Sequence, residues 1–366
     1  MNEQSPLLLI GVGTAGCAIA RGVSRAYGDA LRVVLADTDA STGEGGGDFV
    51  LLGGERLAGR GTGGSLVEGR LAAEGSARAL DGHLDDVRIA VLVSALGGGT
   101  GGGGTLEIAK YLAARGVPTI VFATTPFVFE GEDRQRNARG VMSMIEEAAN
   151  ATFFLPLDKL IGETDNMADA LRRAVDTVAS GVTLFWRLVE KPGYIRLDVE
   201  RLRHLLATAG RGRFATVTAQ GPARAAEALD ALLHSDLLAA SSGPVASTIC
   251  GVLAGDDLLL SEVGRIADGV RGSFGGLTFD LATVNDEATF SGRLSVVVLL
   301  FEASARKTPE TPAPGGVMSS RRRRGKSALG AGPTGRGRFK NVEPTVWRDE
   351  DLDVPTFIRK GLSLDF

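Results

Sequence analysis

Cysteine is nearly absent from this 366-residue chain: Cys17 and Cys250 are the two copies, each inside an apolar segment and without paired spacing. That count and placement argue against a disulfide framework and against a thiolate zinc site. Histidine is as scarce, with three scattered copies that form no metal-ligand pattern. Long hydrophobic runs are missing too, since no stretch approaches the ~20 uninterrupted apolar residues that a spanning helix needs. The opening MNEQSPLLLIGVG lacks the basic flank and cleavage pattern of a secretory signal, so a cytoplasmic protein is expected. Hydrophobic residues nevertheless make up 44% of the chain, enough for two domains of ordinary size, each with its own core.

The net charge of -4 conceals a segregation. Between Glu302 and Asp349 eleven basic residues face four acidic ones, so the body before residue 302 is acidic and carries a basic tether. The tether, KTPETPAPGGVMSSRRRRGKSALGAGPTGRGR, is rich in Pro, Gly, Ser and Arg and has no apolar periodicity. It cannot bury enough surface to offset its ordering entropy, and a flexible linker over 302–351 is expected. Its arginine run is either solvated linker charge or a contact for anionic membrane or nucleic acid. Beyond it, residues 352–366 regain Val354, Phe357 and Ile358, spaced to present one apolar face if the segment folds on a partner.

In the body, apolar runs alternate with glycine-rich turns and helical patterns. Candidate strands are Leu7–Ile10, Val33–Leu35, Ile89–Val93, Thr119–Phe122 and Phe153–Leu155, the rhythm of a parallel α/β sheet. Ligands of such sheets bind at the carboxyl ends of the strands, where the loops GVGTAG, DTDA, GGGTGGGG and TTPFVFEGE all fall. Glycines from Gly97 to Gly104 let the backbone come close to a ligand, and successive N–H groups there form a concave donor nest for phosphate. A helix expected from about Thr105 adds its positive dipole end. The first loop, Gly11-Val12-Gly13-Thr14-Ala15-Gly16, repeats the arrangement after the first strand and is by itself a weak dinucleotide fingerprint. Two phosphate cradles in one crevice are stronger evidence than either alone.

The order GVGxxG, DTD, GGGTGGG and PFxFEGxxR resembles FtsZ, the bacterial relative of tubulin. The likeness continues through LPLDKL, Asp169, Ala170 and Asp176, a Pro192-Gly193 turn, an AGDDL turn and the terminal DVPTFIRK. It implies a tubulin/FtsZ-like α/β fold. A Rossmann-like parallel-sheet nucleotide domain (1–168) would lead into a long core helix (169–189) and a smaller α+β C-terminal domain (190–301). The latter would hold strands at Phe214–Thr218, Ser247–Leu253, Leu277–Val284 and Leu294–Phe301 and helices around Pro222–Leu233 and Leu258–Gly269. The resemblance also implies head-to-tail filaments at the division site, a heterologous contact that extends rather than closes. By the same carry-over, Gly13, Gly16, Gly97, Gly98, Gly99, Thr100, Gly101, Gly102, Gly103, Glu130, Arg134, Leu171 and Asp176 would hold GTP or GDP. Asp39 and Thr62 would lie by the terminal phosphate, directly or through Mg2+. Asp353, Pro355, Phe357, Arg359 and Lys360 would dock membrane adaptors of the division ring.

Departures from the family pattern bear on the chemistry. Ala18, Leu171 and Val175 stand where the family has Asn beside the guanine and Phe and Asn on the core helix. The loop that completes a neighbour's active site, Asn-x-Asp-x-x-Asp in the family, here supplies Arg196, Asp198 and Arg201. A guanidinium stays protonated and cannot act as a general base, so only Asp198, or Glu200 turned inward, is left to orient water. Arg196 and Arg201 then read as interface clamps, on phosphate or on Asp37, Asp39 or Glu68 of the subunit below. A division scaffold with weak or absent hydrolysis, and assembly that does not require nucleotide, is the favoured reading. An ordinary GTPase using Asp198 is the alternative, and a dehydrogenase using the first glycine loop is a third.

Overall fold

The computed structural model describes residues 5–28, 31–160, 166–239, 243–303, 346–347 and 350–351. Its first half alternates strand and helix as the apolar runs require. Strand β1 (Leu7–Val12) is buried on both faces: Leu7 and Leu9 point into one hydrophobic layer, while Leu8, Ile10 and Val12 point into the other. The chain then passes through α1 (Gly13–Tyr27), β2 (Val33–Asp37), β3 (Asp48–Leu51), α2 (Gly54–Leu57), α3 (Leu66–Ser76) and β4 (Ile89–Ala95). Helix α4 (Thr105–Ala114), β5 (Thr119–Thr125), α5 (Glu132–Ala148) and β6 (Ala151–Pro156) complete this half. Strands β1 to β6 are all parallel, in the order β3-β2-β1-β4-β5-β6. The five expected strands are present, and β3 is an addition. It is a four-residue edge strand between glycines, too short to announce itself by periodicity.

Helix α6 (Met167–Glu190) crosses one face of the sheet. Asn166 caps it, accepting the Asp169 N–H at 3.0 Å, which satisfies one of the donors that every helix start leaves open. Its buried residues Val178, Val182, Phe185, Trp186 and Val189 recur at helical spacing and face the strands. Phe185 joins an aromatic cluster around Phe122, whose ring lies 4.9 Å from both Phe153 and Phe214. Aromatic pairs at this separation add to the hydrophobic gain of burying the rings.

The second half comprises α7 (Val199–Leu206), β7 (Ala209–Gln220), α8 (Arg224–Leu233), β8 (Val245–Ala254), α9 (Leu260–Phe274), β9 (Thr278–Asn285), α10 (Glu287–Phe290) and β10 (Arg293–Ala303). Here β10 runs antiparallel to both β7 and β8, and β9 pairs parallel to β8 at the edge. Strand β7 meets β6 at Thr152–Arg211 and Phe153–Gly212, so one ten-stranded sheet runs through both halves. Gly212 is required there, because a β-carbon would lie 2.5 Å from the Phe153 ring. The architecture is the expected α/β one, a mostly parallel sheet layered with helices, followed by an α+β region.

Residues 1–308 form one compact unit and residues 309–366 a second. In the second, β11 (Val346–Trp347) and β12 (Glu350–Asp351) pair antiparallel, inside the stretch read from sequence as linker. The first two residues of that stretch belong to the body, since β10 continues through Ala303. The arginine run and the docking residues Asp353, Pro355, Phe357, Arg359 and Lys360 lie outside the described residues. Among the described residues no helix is long and apolar enough to cross a membrane.

Candidate functional site

At the carboxyl ends of β1, β2 and β4 the glycine loops close around a cleft of about 300 Å³. Its walls include Gly13, Thr14, Asp39, Thr62, Gly98, Gly99, Thr100, Gly101 and Arg134. The two loops touch: a β-carbon on Gly13, whose φ is +74°, would lie 3.0 Å from the Gly101 nitrogen. On the other side the long loop leans on α3 and β4. A side chain at Gly99 would strike Ser65 O at 2.3 Å and Thr62 Oγ1 at 2.4 Å, and one at Gly101 would strike Ala95 O at 2.0 Å. Gly98 differs, because a β-carbon there meets nothing within 4 Å. The loop continues as a π-helical turn, Thr100–Gly104, that leads into α4.

Not every expected glycine faces the opening. Gly16 packs on Val93 O and Gly103 on Leu66 O, while Gly102 lies against the Leu66 side chain. Gly97 adopts φ +107° and offers its carbonyl to Asn137 Nδ2 at 3.1 Å. These four shape the loop without lining the cleft. Glu130 is engaged nearby: its Oε1 accepts the Phe127 N–H at 2.9 Å, and its Oε2 accepts from Arg134 Nη1 at 2.6 Å.

A buried acid ties the site together. Asp37, 2% exposed, accepts from Thr14 Oγ1 (3.0 Å), Thr42 Oγ1 (2.8 Å) and the Thr38 N–H (2.7 Å). Thr38 in turn shares a 2.6 Å hydrogen bond with Thr100 of the glycine loop. So positioned, Asp37 is withdrawn from the acids expected to meet a neighbour's arginine, and Glu68 is taken up by a bidentate contact to Arg56 at 2.7 and 3.0 Å. Asp39 is half-buried at the rim, where the Ser41 hydroxyl and N–H hold its carboxyl below the usual range. The sequence pattern gave no sign of Asn137 or of the threonines that surround Asp37.

One turn further along α1 a wider recess of about 790 Å³ opens between α1, β2 and α6. Ala18, Leu171, Val175 and Asp176 line it, joined by Arg21, Arg25 and Arg172, which were not expected there.

The loop 192–198 sits at the opposite pole. Glu190, at the end of α6, is bonded by Ser5 Oγ, just ahead of β1, and by Tyr27 OH at 2.6 Å. Arg88, just ahead of β4, pairs with Glu200. Both contacts mark the amino ends of the strands, whereas the cleft lies at their carboxyl ends. The 24 residues of α6 separate the two poles by roughly 36 Å at 1.5 Å per residue. Strand β9 fixes the loop: Thr283 N–H donates to Ile195 O at 2.8 Å, Ile195 N–H donates to Thr283 Oγ1 at 3.0 Å, and Gly193 packs on Thr283 O.

The charged residues of this pole are mostly committed within the chain. Asp198 caps α7, its Oδ1 accepting the Glu200 N–H at 3.2 Å. Glu200 turns to Arg88 and Arg203, and the first of these holds its carboxyl below the usual range. Arg201, expected as a free clamp, donates through Nε and Nη2 to the two oxygens of Asp280 at 2.8 and 3.0 Å. Arg196 is exposed and makes no hydrogen bond or ion pair among the described residues.

The donor set at the cleft suits a polyphosphate: backbone N–H groups of two glycine loops, the Thr62 hydroxyl, the Arg134 guanidinium, and open space at Gly98. No group of three or more His, Cys, Asp or Glu side chains exists among the described residues to cage a metal on its own. Asp39 alone, with hydroxyls and phosphate oxygens, fits the way Mg2+ is held, through one or two carboxylates, substrate phosphates and water.

Residues 6–165 match the family described as Tubulin/FtsZ family, GTPase domain. The chain is 29% identical over 321 residues to the cell division protein FtsZ of Magnetospirillum gryphiswaldense, covering 83% of this chain and 56% of that protein. It is 28% identical over 306 residues to the cell division protein FtsZ of Rickettsia conorii, covering 81% and 68%. The chain thus spans little more than half the length of the first of these relatives. Among solved structures it is similar to an empty FtsZ dimer of M. jannaschii, with TM-score 0.77 and 23% identity over 82% of this chain and 89% of that one. It is also similar to CetZ2 from Haloferax volcanii in a GTPγS-bound protofilament, with TM-score 0.69 and 23% identity over 83% and 95%.

Proposed function

Because the chain belongs to the tubulin/FtsZ family, as a divergent FtsZ-like member, we propose that it is a cytoskeletal protein that binds GTP or GDP and polymerises head to tail. The observation that carries this reading is the placement of the glycine cleft and the arginine loop at opposite poles of one unit, joined by α6. Stacking one copy on the next brings the loop of one over the cleft of the other, a heterologous contact that repeats. The GTPγS-bound protofilament of the similar CetZ2 accords with such stacking.

In the cleft, the N–H groups of Gly98–Gly101 and Gly13 would bind the phosphates, with Thr62, Asp39 and Mg2+ at the terminal one and Leu171 and Asp176 toward the base. Bound Mg2+ supplies charge neutralisation between phosphate oxygens. Hydrolysis is weak or absent in this reading. A general base must be free to meet the attacking water, and at the loop Glu200 is held by arginines while Asp198 is turned to the start of α7. Assembly then draws more on the interface than on a nucleotide switch, with Arg196 facing an anion across it. The basic tether and the DVPTFIRK peptide would anchor the filament to membrane or adaptors at the division ring, in the cytoplasm.

One observation favours an ordinary polymerisation-activated GTPase: Asp198 Oδ2 makes no hydrogen bond among the described residues. Sedimentation and negative-stain imaging of nucleotide-stripped protein, without nucleotide, with GDP and with GTP, separate the two. Filaments in all three with no phosphate released are expected. Filaments with GTP alone that disassemble as phosphate appears would establish Asp198 as sufficient, and no filaments in any condition would refute the cytoskeletal reading.

A further inference from the structure

The Arg201–Asp280 pair has a geometry that a surface ion pair does not need. Asp280 takes the Nε and one Nη2 N–H, the side edge of the guanidinium, so Nη1 and the second Nη2 proton have no partner among the described residues. The Arg201 side chain is 43% exposed, whereas Asp280 is 18% exposed on β9. The same strand pins the preceding loop through Thr283 and Ile195. A single edge strand therefore fixes both the loop and the first turn of α7, with one guanidinium held flat and its outer edge open. Exposed pairs of this kind contribute little to stability. An arginine held in one orientation, however, loses less rotamer freedom when it meets an oxyanion, and a planar fork suits phosphate.

We propose that Asp280 is a positioning residue that aims Arg201 at the terminal phosphate of the nucleotide held by the next copy of this chain. The proposal rests on the head-to-tail reading and deepens it: the contact between copies is made by a cation set from β9. Charge complementarity supports a phosphate as the occupant. The cleft would present a nucleotide polyanion together with Asp39, and the opposite pole presents Arg196 and the outer edge of Arg201. Glu200 does not compete for Arg201, being held by Arg88 and Arg203, and Asp198 is turned to the α7 backbone.

The test compares wild type, Asp280→Asn, Arg201→Gln and the double variant by the critical concentration for sedimentation in GTPγS and in GDP. The full chain is used. Nucleotide affinity of dilute, unassembled protein and the melting temperature are read alongside. Asp280→Asn is expected to raise the GTPγS critical concentration roughly three- to tenfold while leaving the GDP value unchanged. The double variant should then be no worse than Arg201→Gln, because the two residues act as one unit. Nucleotide affinity and melting temperature should stay at wild-type values, and Asp280→Glu should recover part of the assembly. If Asp280→Asn lowers the melting temperature, Asp280→Glu at wild-type stability carries the comparison.

Wild-type assembly by Asp280→Asn would overturn the proposal while leaving the filament reading intact. So would equal losses in GTPγS and GDP, which indicate a merely structural pair. A wild-type protein that forms no filaments would overturn both.

Discussion

The glycine loop makes two separable demands, and single alanine substitutions distinguish them. At Gly101 an ideal β-carbon lies 2.0 Å from Ala95 O, against an ordinary contact of about 3.4 Å, so the loop must move by about 1.4 Å off the end of β4. That movement pulls Thr100 from its buried 2.6 Å hydrogen bond with Thr38. Overpacking of this kind costs roughly 1–3 kcal/mol and the lost bond about 1 more, so Gly101→Ala should destabilise by roughly 2–4 kcal/mol. For a unit of this size the melting temperature should fall by roughly 3–6 °C. At Gly98 the same methyl meets nothing within 4 Å, and stability should change by less than about 0.5 kcal/mol. Gly98 lines the cleft, however, and a methyl there crowds the phosphate nest, so nucleotide should bind about tenfold more weakly, ~1.4 kcal/mol. Thermal melts and titration with a fluorescent guanine nucleotide read the two quantities independently. A Gly101→Ala protein that melts with wild type, or a Gly98→Ala protein that binds with wild-type affinity, refutes the division of labour.

Asp37→Ala removes the shared acceptor of Thr14, Thr42 and the Thr38 N–H and should cost roughly 2–3 kcal/mol by urea unfolding, with Asp37→Asn recovering much of it. Arg224, 5% exposed, forks onto Glu262 at 2.8 and 3.0 Å, so Arg224→Ala strands a largely buried carboxylate and should cost about 3 kcal/mol. The same pair sets a pH dependence: hydrogen bonds from Arg224 hold the Glu262 carboxyl below its unfolded value of about 4.3. Its contribution is therefore complete above that pH and lost as pH falls through the lower folded value, so acid melts of wild type should decline more steeply below about pH 4 than those of Arg224→Ala. Burial pushes the thiols of Cys17 and Cys250 up to about 12, and neither should react with a thiol reagent at pH 8 until the protein unfolds, as followed by mass spectrometry in urea.

What was legible in the sequence was whatever one local pattern determines. The run Leu7–Val12 is apolar at every position because helices cover both faces of β1, and the glycines that follow mark the carboxyl end of the strand. The same logic located β2, β4, β5 and β6, and with them the loops that make the cleft. It did not distinguish the roles of the glycines. Gly98 and Gly103 look alike in the sequence, yet one borders open space and the other is packed on α3 through Leu66 O and Arg70 N. That difference is set by a helix some thirty residues earlier, and no reading of the loop alone contains it.

The arginine loop shows the same limit in its charges. Taken from the sequence, Arg196 and Arg201 are equivalent cations standing where acids or amides are expected. In the fold they part company, because Asp280, 79 residues away on β9, reaches Arg201 and nothing described reaches Arg196. Glu200 is likewise claimed by Arg88 from 112 residues away. These long-range pairs have no sequence signature, since acids and arginines are common and their spacing along the chain says nothing of their distance across a sheet. The consequence is physical. In the proposed filament a guanidinium already paired to a carboxylate would bring an oriented fork, with its net charge offset, to the neighbouring copy, while Arg196 would bring a cation with no partner among the described residues. Raising salt screens Arg196 over a Debye length of about 8 Å at physiological strength, but it acts less on a hydrogen-bonded, partly desolvated fork. Longitudinal contacts that depend on both should therefore lose part of their strength with salt and retain the rest.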